Sequence, residues 1–367
     1  IQIYTKDDTD TSIGASVGNF GRRSSTMSTG FSTEKFQFSA FGDYYKQGGY
    51  SDRGPDGNRD KGELLNSKIR FQYKPTESSE FSIGNKHTYL EYRYPNNLTR
   101  ATFDANPGAN SNTAAGTTYT HQTETNDSIE FGSSIKLSEN IEQNLDYSFV
   151  DQTRVIVNQD DGTSRKYKTH YIDENLKYLN GPLTLITGGQ YWHGDRRCDE
   201  CFNPSTATKQ NVGLYLQGQY KFNSTVLSLG ARNEWIRYTH KRADIESLSL
   251  SRESIEAFDI GVNQTVNKNL NIFSNFNKAF QTPNIDYFFD SAGAFAGFIR
   301  PASSKTLNIG LNYLTSKSKT KLTLFGSKLK DEIFFNRHDR SVNSLGNNIS
   351  IDRSSKYGFE LQNKYSF

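Results

Sequence analysis

Apolar and polar side chains alternate in runs of roughly nine to twelve residues, about sixteen times between Ile13 and Phe367, and a short turn and a long polar segment separate the runs by turns. A β-strand sends successive side chains to opposite faces, so each run carries one apolar and one polar face. Over residues 211–222 one face holds Val212, Leu214, Leu216, Tyr220 and Phe222, and the other Asn211, Tyr215, Gln217, Gln219 and Lys221. The same division separates Leu307, Ile309, Leu311 and Tyr313 from Thr306, Asn308 and Asn312, and Ile69, Phe71 and Tyr73 from Arg70, Gln72 and Lys74. Residues 270–277 break the rule, with Phe273 among the polar asparagines and Ser274 among the apolar residues. One face suits lipid and the other water, so a hydrophilic chain of this pattern can cross a membrane.

Composition narrows the alternatives. With 34% hydrophobic residues and a mean hydropathy of -0.75, the chain is poor in aliphatics for a soluble fold of 367 residues. Disorder would explain low hydropathy, but disorder also depletes aromatics, and here there are 21 Tyr and 25 Phe. No apolar run approaches the ~18 to 20 residues of a spanning helix, so any crossing is made by strands. The net charge of +3 is spread without a basic stripe, which argues against a nucleic-acid partner. The six histidines are scattered, and neither a Ser/His/Asp cluster nor a paired-carboxylate spacing stands out, so the chain does not read as an enzyme and no cofactor is expected. Cys198 and Cys201, in a polar segment, fit a redox motif, half a zinc site with His193, or a loop-stapling disulfide; the last is the simplest.

Short connections fall at residues 33–35, 75–79, 138–140, 180–182, 223–224, 267–269 and 315–318, rich in Asn, Ser, Pro and Gly. Long segments occupy residues 47–62, 93–122, 159–164, 195–208, 239–251, 280–301 and 337–347. This is the order of a transmembrane β-barrel with short periplasmic turns and long extracellular loops, with a tight first outer hairpin at residues 19–22. Residues 97–105 offer a capping Asn or Thr and about two helical turns halted by Pro107-Gly108. Nothing at the start resembles a signal peptide, so the chain reads as mature or truncated.

Several segments resemble the TonB-dependent receptors, ligand-gated outer-membrane importers. Asn277-Lys278-Ala279-Phe280-Gln281-Thr282-Pro283-Asn284 is similar to the family's F-R-A-P-N box, and Ile299-Arg300-Pro301-Ala302-Ser303-Ser304-Lys305 to its L-K-P-E-T-S-K segment. Leu329-Lys330-Asp331-Glu332-Ile333 and Lys356-Tyr357-Gly358-Phe359-Glu360 resemble the two strands that follow, and Gly49-Tyr50-Ser51-Asp52 and Asn97-Leu98-Thr99-Arg100 with Asn106-Pro107 two outer-loop motifs. Gln281 stands where the family has Arg, Ala302 where it has Glu, and the basic residue before Gly358 is displaced. The resemblance implies an all-β, antiparallel transmembrane barrel with about sixteen strands present of an expected twenty-two. Residues 1–6 would be a remnant of the last strand of the plug and residues 7–367 part of the barrel, in a fragment or split gene product located in a Gram-negative outer membrane. The implied function is import of a scarce ligand, a ferric siderophore first and vitamin B12 or another metal chelate as alternatives, energised by the TonB-ExbB-ExbD complex through the missing plug. Outer-membrane lipid and lipopolysaccharide would surround it. A sixteen-stranded diffusion porin is the alternative function, with residues 93–122 as its inward loop.

Such an importer does no covalent chemistry on its cargo. Its site is expected among aromatic and basic residues at the roots of the outer loops: Tyr45, Tyr94, Trp192, Tyr238 and Phe288 for bulky chelates, and Arg196, Arg197 and Arg300 for anionic ones. The competing readings are an interfacial aromatic girdle and contact with lipopolysaccharide phosphates. Asp52, Asp56, Asn58 and Asp60 offer calcium-type oxygens without EF-hand spacing, or simply a solvated acidic loop.

Overall fold

In a computed structural model of the chain, the described residues are 10–114, 116–158, 161–201, 203–244, 248–290, 294–336 and 347–366. They form sixteen strands: β1 (Ser12–Gly18), β2 (Arg22–Ser32), β3 (Phe36–Gln47), β4 (Gly62–Thr76), β5 (Ser79–Tyr94), β6 (Thr120–Lys136), β7 (Ile141–Asn158), β8 (Asp161–Asn180), β9 (Leu183–Cys198), β10 (Ser205–Phe222), β11 (Thr225–Arg242), β12 (Leu248–Asn267), β13 (Leu270–Gln281), β14 (Ala302–Leu314), β15 (Ser318–Asn336) and β16 (Asn347–Tyr365). Their order in the sheet is their order in the chain. The chain divides into two compact units, one of residues 1–134, 146–170 and 194–205, the other of residues 135–145, 171–193 and 206–367. No described helix is long and apolar enough to cross a membrane.

Registers confirm the alternation, because residues directly opposite on antiparallel strands share a face. In the first unit Phe36 faces Tyr73, which faces Phe81, and eight register pairs further on Tyr44 faces Leu65, which faces Tyr89. That apolar band runs over the nine residues from Phe36 to Tyr44, within the ~9 to 11 residues of a transmembrane strand. In the second unit Leu229 faces Ile260, and Ile309 faces Leu324, which faces Phe359. The opposite face is a polar ladder: Tyr215 donates to Asp173 at 2.8 Å and Arg232 to Glu234 at 2.7 Å.

The two residues that break the pattern have local causes. Phe273 lies opposite Gly310, where any Cβ would come within 2.5 Å of its ring, so the aromatic covers the glycine. Ser274 donates its hydroxyl to the Asn308 carbonyl at 3.2 Å, which removes the cost of placing it on the apolar face. Gly358 is fixed in the same way, with the Phe325 ring 2.9 Å from where its Cβ would be.

The strands are longer than the sequence periodicity suggests, up to 20 residues in β8 and β12. Toward the long-loop end the alternation stops, β7 ending on the unbroken apolar run Val155-Ile156-Val157 and β8 opening on the polar residues 161–166, so pairing continues without an alternating signal. The expected loop at residues 159–164 is largely consumed in this way, because β7 runs to Asn158 and β8 begins at Asp161. The expected outer hairpin is a 3-10 turn at Asn19–Gly21, and the outer-loop helix is α1 (Arg100–Ala105), capped by the Thr99 side chain on the Thr102 amide. The proposed plug remnant at residues 1–6 and the expected loop at residues 337–346 lie outside the described residues.

Candidate functional site

At the long-loop end of the polar face in the second unit, β10 and β11 carry Lys209, Ile236, Tyr238 and His240, and the connection from β13 to β14 folds onto them. Its 3-10 turn, Ile285–Phe288, is started by Asn284, whose side chain accepts from the Asp286 amide at 3.0 Å. Ile285, Phe288 and Phe289 are buried against Ala207, Ile236 and Tyr238, with Trp192, Phe295 and Phe298 around them. The rings meet edge to face: Tyr238 on Phe288 at 4.9 Å, Phe288 on Phe298 at 5.2 Å, and Phe295 on Phe298 at 5.1 Å. His240 stacks on Phe295 at 3.9 Å. A small apolar core therefore sits on a face that is otherwise polar.

A cation lies beneath it. Lys209 donates to Thr282 Oγ1 at 2.7 Å and to the Pro283 carbonyl at 3.1 Å, and its ammonium lies 5.3 Å from the Trp192 ring and 5.9 Å from that of Tyr238. Burial lowers its pKa to about 8, against the opposing pull of Glu234. β10 is apolar on its lipid-facing side only from Val212 onward, so Lys209 stands above the membrane band. Tyr238 is fully buried, its hydroxyl has no hydrogen-bond partner among the described residues, and burial pushes its pKa up. Two donors thus sit side by side, one of them charged and the other unsatisfied.

The structure brings Trp192, Tyr238 and Phe288 together, with Trp192 and Tyr238 joined through Lys209. Arg300, at the end of the same connection, is exposed. In the first unit, Tyr45 donates to Gln47 at 2.9 Å, Tyr94 stacks on Tyr92 at 5.7 Å, Arg196 is buried near Cys198, and Arg197 bonds Asp199 at 2.8 Å on the surface. Sequence reasoning passed over Lys209, His240 and Thr282. The available signal was a lysine in register with the polar residues of β10, one step above the run where alternation becomes clear.

Cys198 and Cys201 form a disulfide, which leaves neither thiol for zinc or redox exchange. The acidic loop's carboxylates are already engaged: Asp56 accepts from the Asn58 amide, Asp60 from the Ser51 amide, and Asp52 from the Asn106 side chain. Among the described residues no group of three or more His, Cys, Asp or Glu converges on a metal position.

Comparison with known proteins agrees with this architecture. A family described as TonB dependent receptor-like, beta-barrel, matches residues 2–367. No curated protein matches the chain in sequence. Among solved structures, the copper transporter OprC superposes with a TM-score of 0.77 at 12% identity, over 97% of this chain and 58% of its own. The ferric yersiniabactin uptake receptor FyuA from Yersinia pestis gives 0.77 at 11% identity, over 99% and 60%. The FrpB iron transporter from Neisseria meningitidis gives 0.76 at 12% identity, over 98% and 61%. At such identities the likeness is one of fold, and the chain spans about three fifths of the length of these proteins.

Proposed function

The chain belongs to the TonB-dependent receptors through their β-barrel, which lies in the outer membrane of Gram-negative bacteria, and from that premise we propose that it forms the outer wall and mouth of an importer of ferric siderophores. The membership leaves the diffusion-porin reading without support. Transport rather than catalysis is the role, and the TonB complex is the partner that would energise it.

The observation that carries the cargo assignment is the pairing of a buried ammonium with a buried, unsatisfied hydroxyl beneath a shell of aromatic rings. A donor left without an acceptor costs about 1–3 kcal/mol. An anionic, oxygen-rich chelate supplies the missing acceptor and a second counter-charge for Lys209, while its flat iron-binding rings suit Trp192 and Phe298. Iron-transporting neighbours of the same fold, FyuA and FrpB, make ferric chelates the first class to test; the copper transporter OprC makes another metal chelate the second.

Tryptophan fluorescence of the purified protein gives a direct assay, because Trp192 and Trp235 are its two tryptophans and Trp235 lies on the apolar face. Ferric siderophore is expected to quench Trp192 more than the iron-free ligand does, and W192F to abolish the difference. Tyr238→Phe removes the unsatisfied hydroxyl, so it should leave the protein at least as stable yet weaken chelate binding about tenfold, the worth of one hydrogen bond to a charged acceptor. Equal binding by Y238F, or quenching that survives in W192F, overturns the site.

A further inference from the structure

At the outer rim of the lipid-side face, β11–β16 carry a basic row, from Arg237 opposite Arg252 through Lys278, Lys305 and Lys328 in line to Lys330 opposite Arg353. The corresponding row of the first unit has Lys46 opposite Glu63, bonded at 2.8 Å. Within the apolar band itself, among the described residues of the second unit, one charged side chain remains on this face. β8 alternates Tyr171, Asp173 and Asn175 with Ile172, Glu174 and Leu176. Asp173 accepts from Tyr171 and Tyr215 on the polar face, whereas Ile172 and Leu176 are 38% and 44% exposed on the lipid side. Glu174 lies between those two.

Its partner is Gln143 of β7, whose side-chain nitrogen donates to Glu174 Oε1 at 2.6 Å. Both side chains lie against hydrocarbon, where water cannot complete their bonding. A side-chain amide has two hydrogens and a carboxylate two oxygens, so one donor and one acceptor are left over among the described residues. Neighbouring hydroxyls on this face are closed: Thr187 donates to the Tyr215 carbonyl and Ser274 to that of Asn308, each at 3.2 Å. Strand pairing does not ask for a polar pair either, since Leu145, Ile172 and Leu176 beside it are aliphatic. An ionisable group facing lipid is held at a cost, and that cost marks a contact.

We propose that Glu174 and Gln143 form the centre of an interface between two copies of this chain in the membrane. A two-fold axis along the membrane normal keeps both inserted copies upright and brings together points of equal depth. Glu174 of one copy then meets Gln143 of the other, which offers its unused hydrogen. The exchange closes a ring of four hydrogen bonds, two within the copies and two between them. A lipid tail supplies no donor at this depth, and an unrelated protein would carry one only by coincidence; a second copy carries it by construction. The surface beside the pair suits close approach. Gly218 and Gly189 leave it low next to Leu185 and Leu214, whose methyls lie 3.1 and 3.4 Å from where the missing Cβ atoms would be. The interface lies on the opposite face from Lys209 and Tyr238, so it stands or falls apart from the cargo reading.

The test follows association of the full chain in vesicles of phosphatidylethanolamine and phosphatidylglycerol, by energy transfer between donor- and acceptor-labelled copies as lipid is added. Parent protein should show transfer that falls on dilution along a monomer-dimer curve. Glu174→Leu removes the acceptors and should weaken association about tenfold to a few hundredfold, the worth of two hydrogen bonds inside a membrane. Because it also removes a polar group from the band, its heat-unfolding midpoint, measured where both proteins are monomeric, should not fall; a lower midpoint would assign the pair to the fold and overturn the interface. Glu174→Gln keeps an acceptor oxygen and should retain association. Glu256→Leu, which loses a carboxylate from the rim of the same face, should leave it unchanged. Parent protein that stays monomeric at the highest density, undiminished association in Glu174→Leu, or an equal loss in Glu256→Leu overturns the proposal.

Discussion

The outer loops of the two units are held by opposite means. In the first, residues 50–119 are fixed by directional polar bonds: Asn110 donates to the Thr117 carbonyl at 2.6 Å and accepts from its amide at 3.1 Å, Arg59 donates to the Ser51 carbonyl at 2.7 Å, and Tyr119 bonds the Asp52 carbonyl. In the second, residues 282–290 and 294–300 are held by ring packing around Phe288, with Lys209 as the main polar tether. Hydrogen bonds specify one backbone path and little else. An apolar cluster specifies a place of burial and can be lifted as a body, which suits a connection that must admit a bulky ligand beneath it.

Phe288→Ala breaks the comparison most severely. A side chain that is 1% exposed and touches Tyr238 and Phe298 leaves a cavity costing about 3–5 kcal/mol, which exceeds what the remaining contacts of a surface connection can hold. Hydrogen exchange should become fast throughout residues 284–300 and stay unchanged in residues 50–117. Asn110→Ala is the matching experiment in the first unit, expected to cost about 1–3 kcal/mol because it leaves the Thr117 amide and carbonyl unpaired. Exchange should rise at residues 110–117 only. If both variants loosen whole loops equally, the distinction between the two kinds of loop is wrong.

A smaller effect sharpens the role of Lys209. Its folded pKa of about 8 lies below the ordinary value of 10.5, so between those values the folded protein binds fewer protons than the unfolded chain. The stability of the region should therefore rise as pH goes from 8 to 10, read as the midpoint of the Trp192 emission change on heating. Lys209→Met should flatten that dependence, and the same slope in both proteins would place the titration elsewhere.

How much of this was legible before any coordinates depended on periodicity. Strand number, the seven short turns and the apolar faces of β4, β10 and β14 follow from alternation, and α1 from Thr99 and Pro107. Strand ends did not, because toward the long-loop end neither β7, which closes on Val155-Ile156-Val157, nor β8, which opens on polar residues, alternates. The aromatic residues Trp192, Tyr238 and Phe288 were visible as junction residues, but their convergence depends on residues 284–290 and 294–300 folding back onto β10 and β11, which no local pattern announces. Lys209 was missed for the same reason: its partners, Thr282 and Pro283, are more than seventy positions away. The basic row on β11–β16 needed register, since Lys278, Lys305 and Lys328 look like isolated surface lysines until pairing sets them opposite one another.

That row and its counterpart in the first unit differ in what acid should do to them. Lys46, by hydrogen bond and charge, holds the Glu63 carboxyl below its usual range, with Tyr44 also donating to it at 3.0 Å. A carboxyl depressed in the folded state contributes stability above its unfolded value, and that contribution is lost as pH falls through the folded one. Acidification from pH 6 to 3 should then speed exchange at the outer ends of β3 and β4, the smallest of these effects because the pair is partly exposed. Glu63→Gln should remove the acid response there. Residues 302–305 of β14, where Lys305 lies between Lys278 and Lys328, carry no carboxylate and should not respond. The outer end of β15 should, because Glu332, bonded to Ser354 and Lys356, is a second depressed carboxyl.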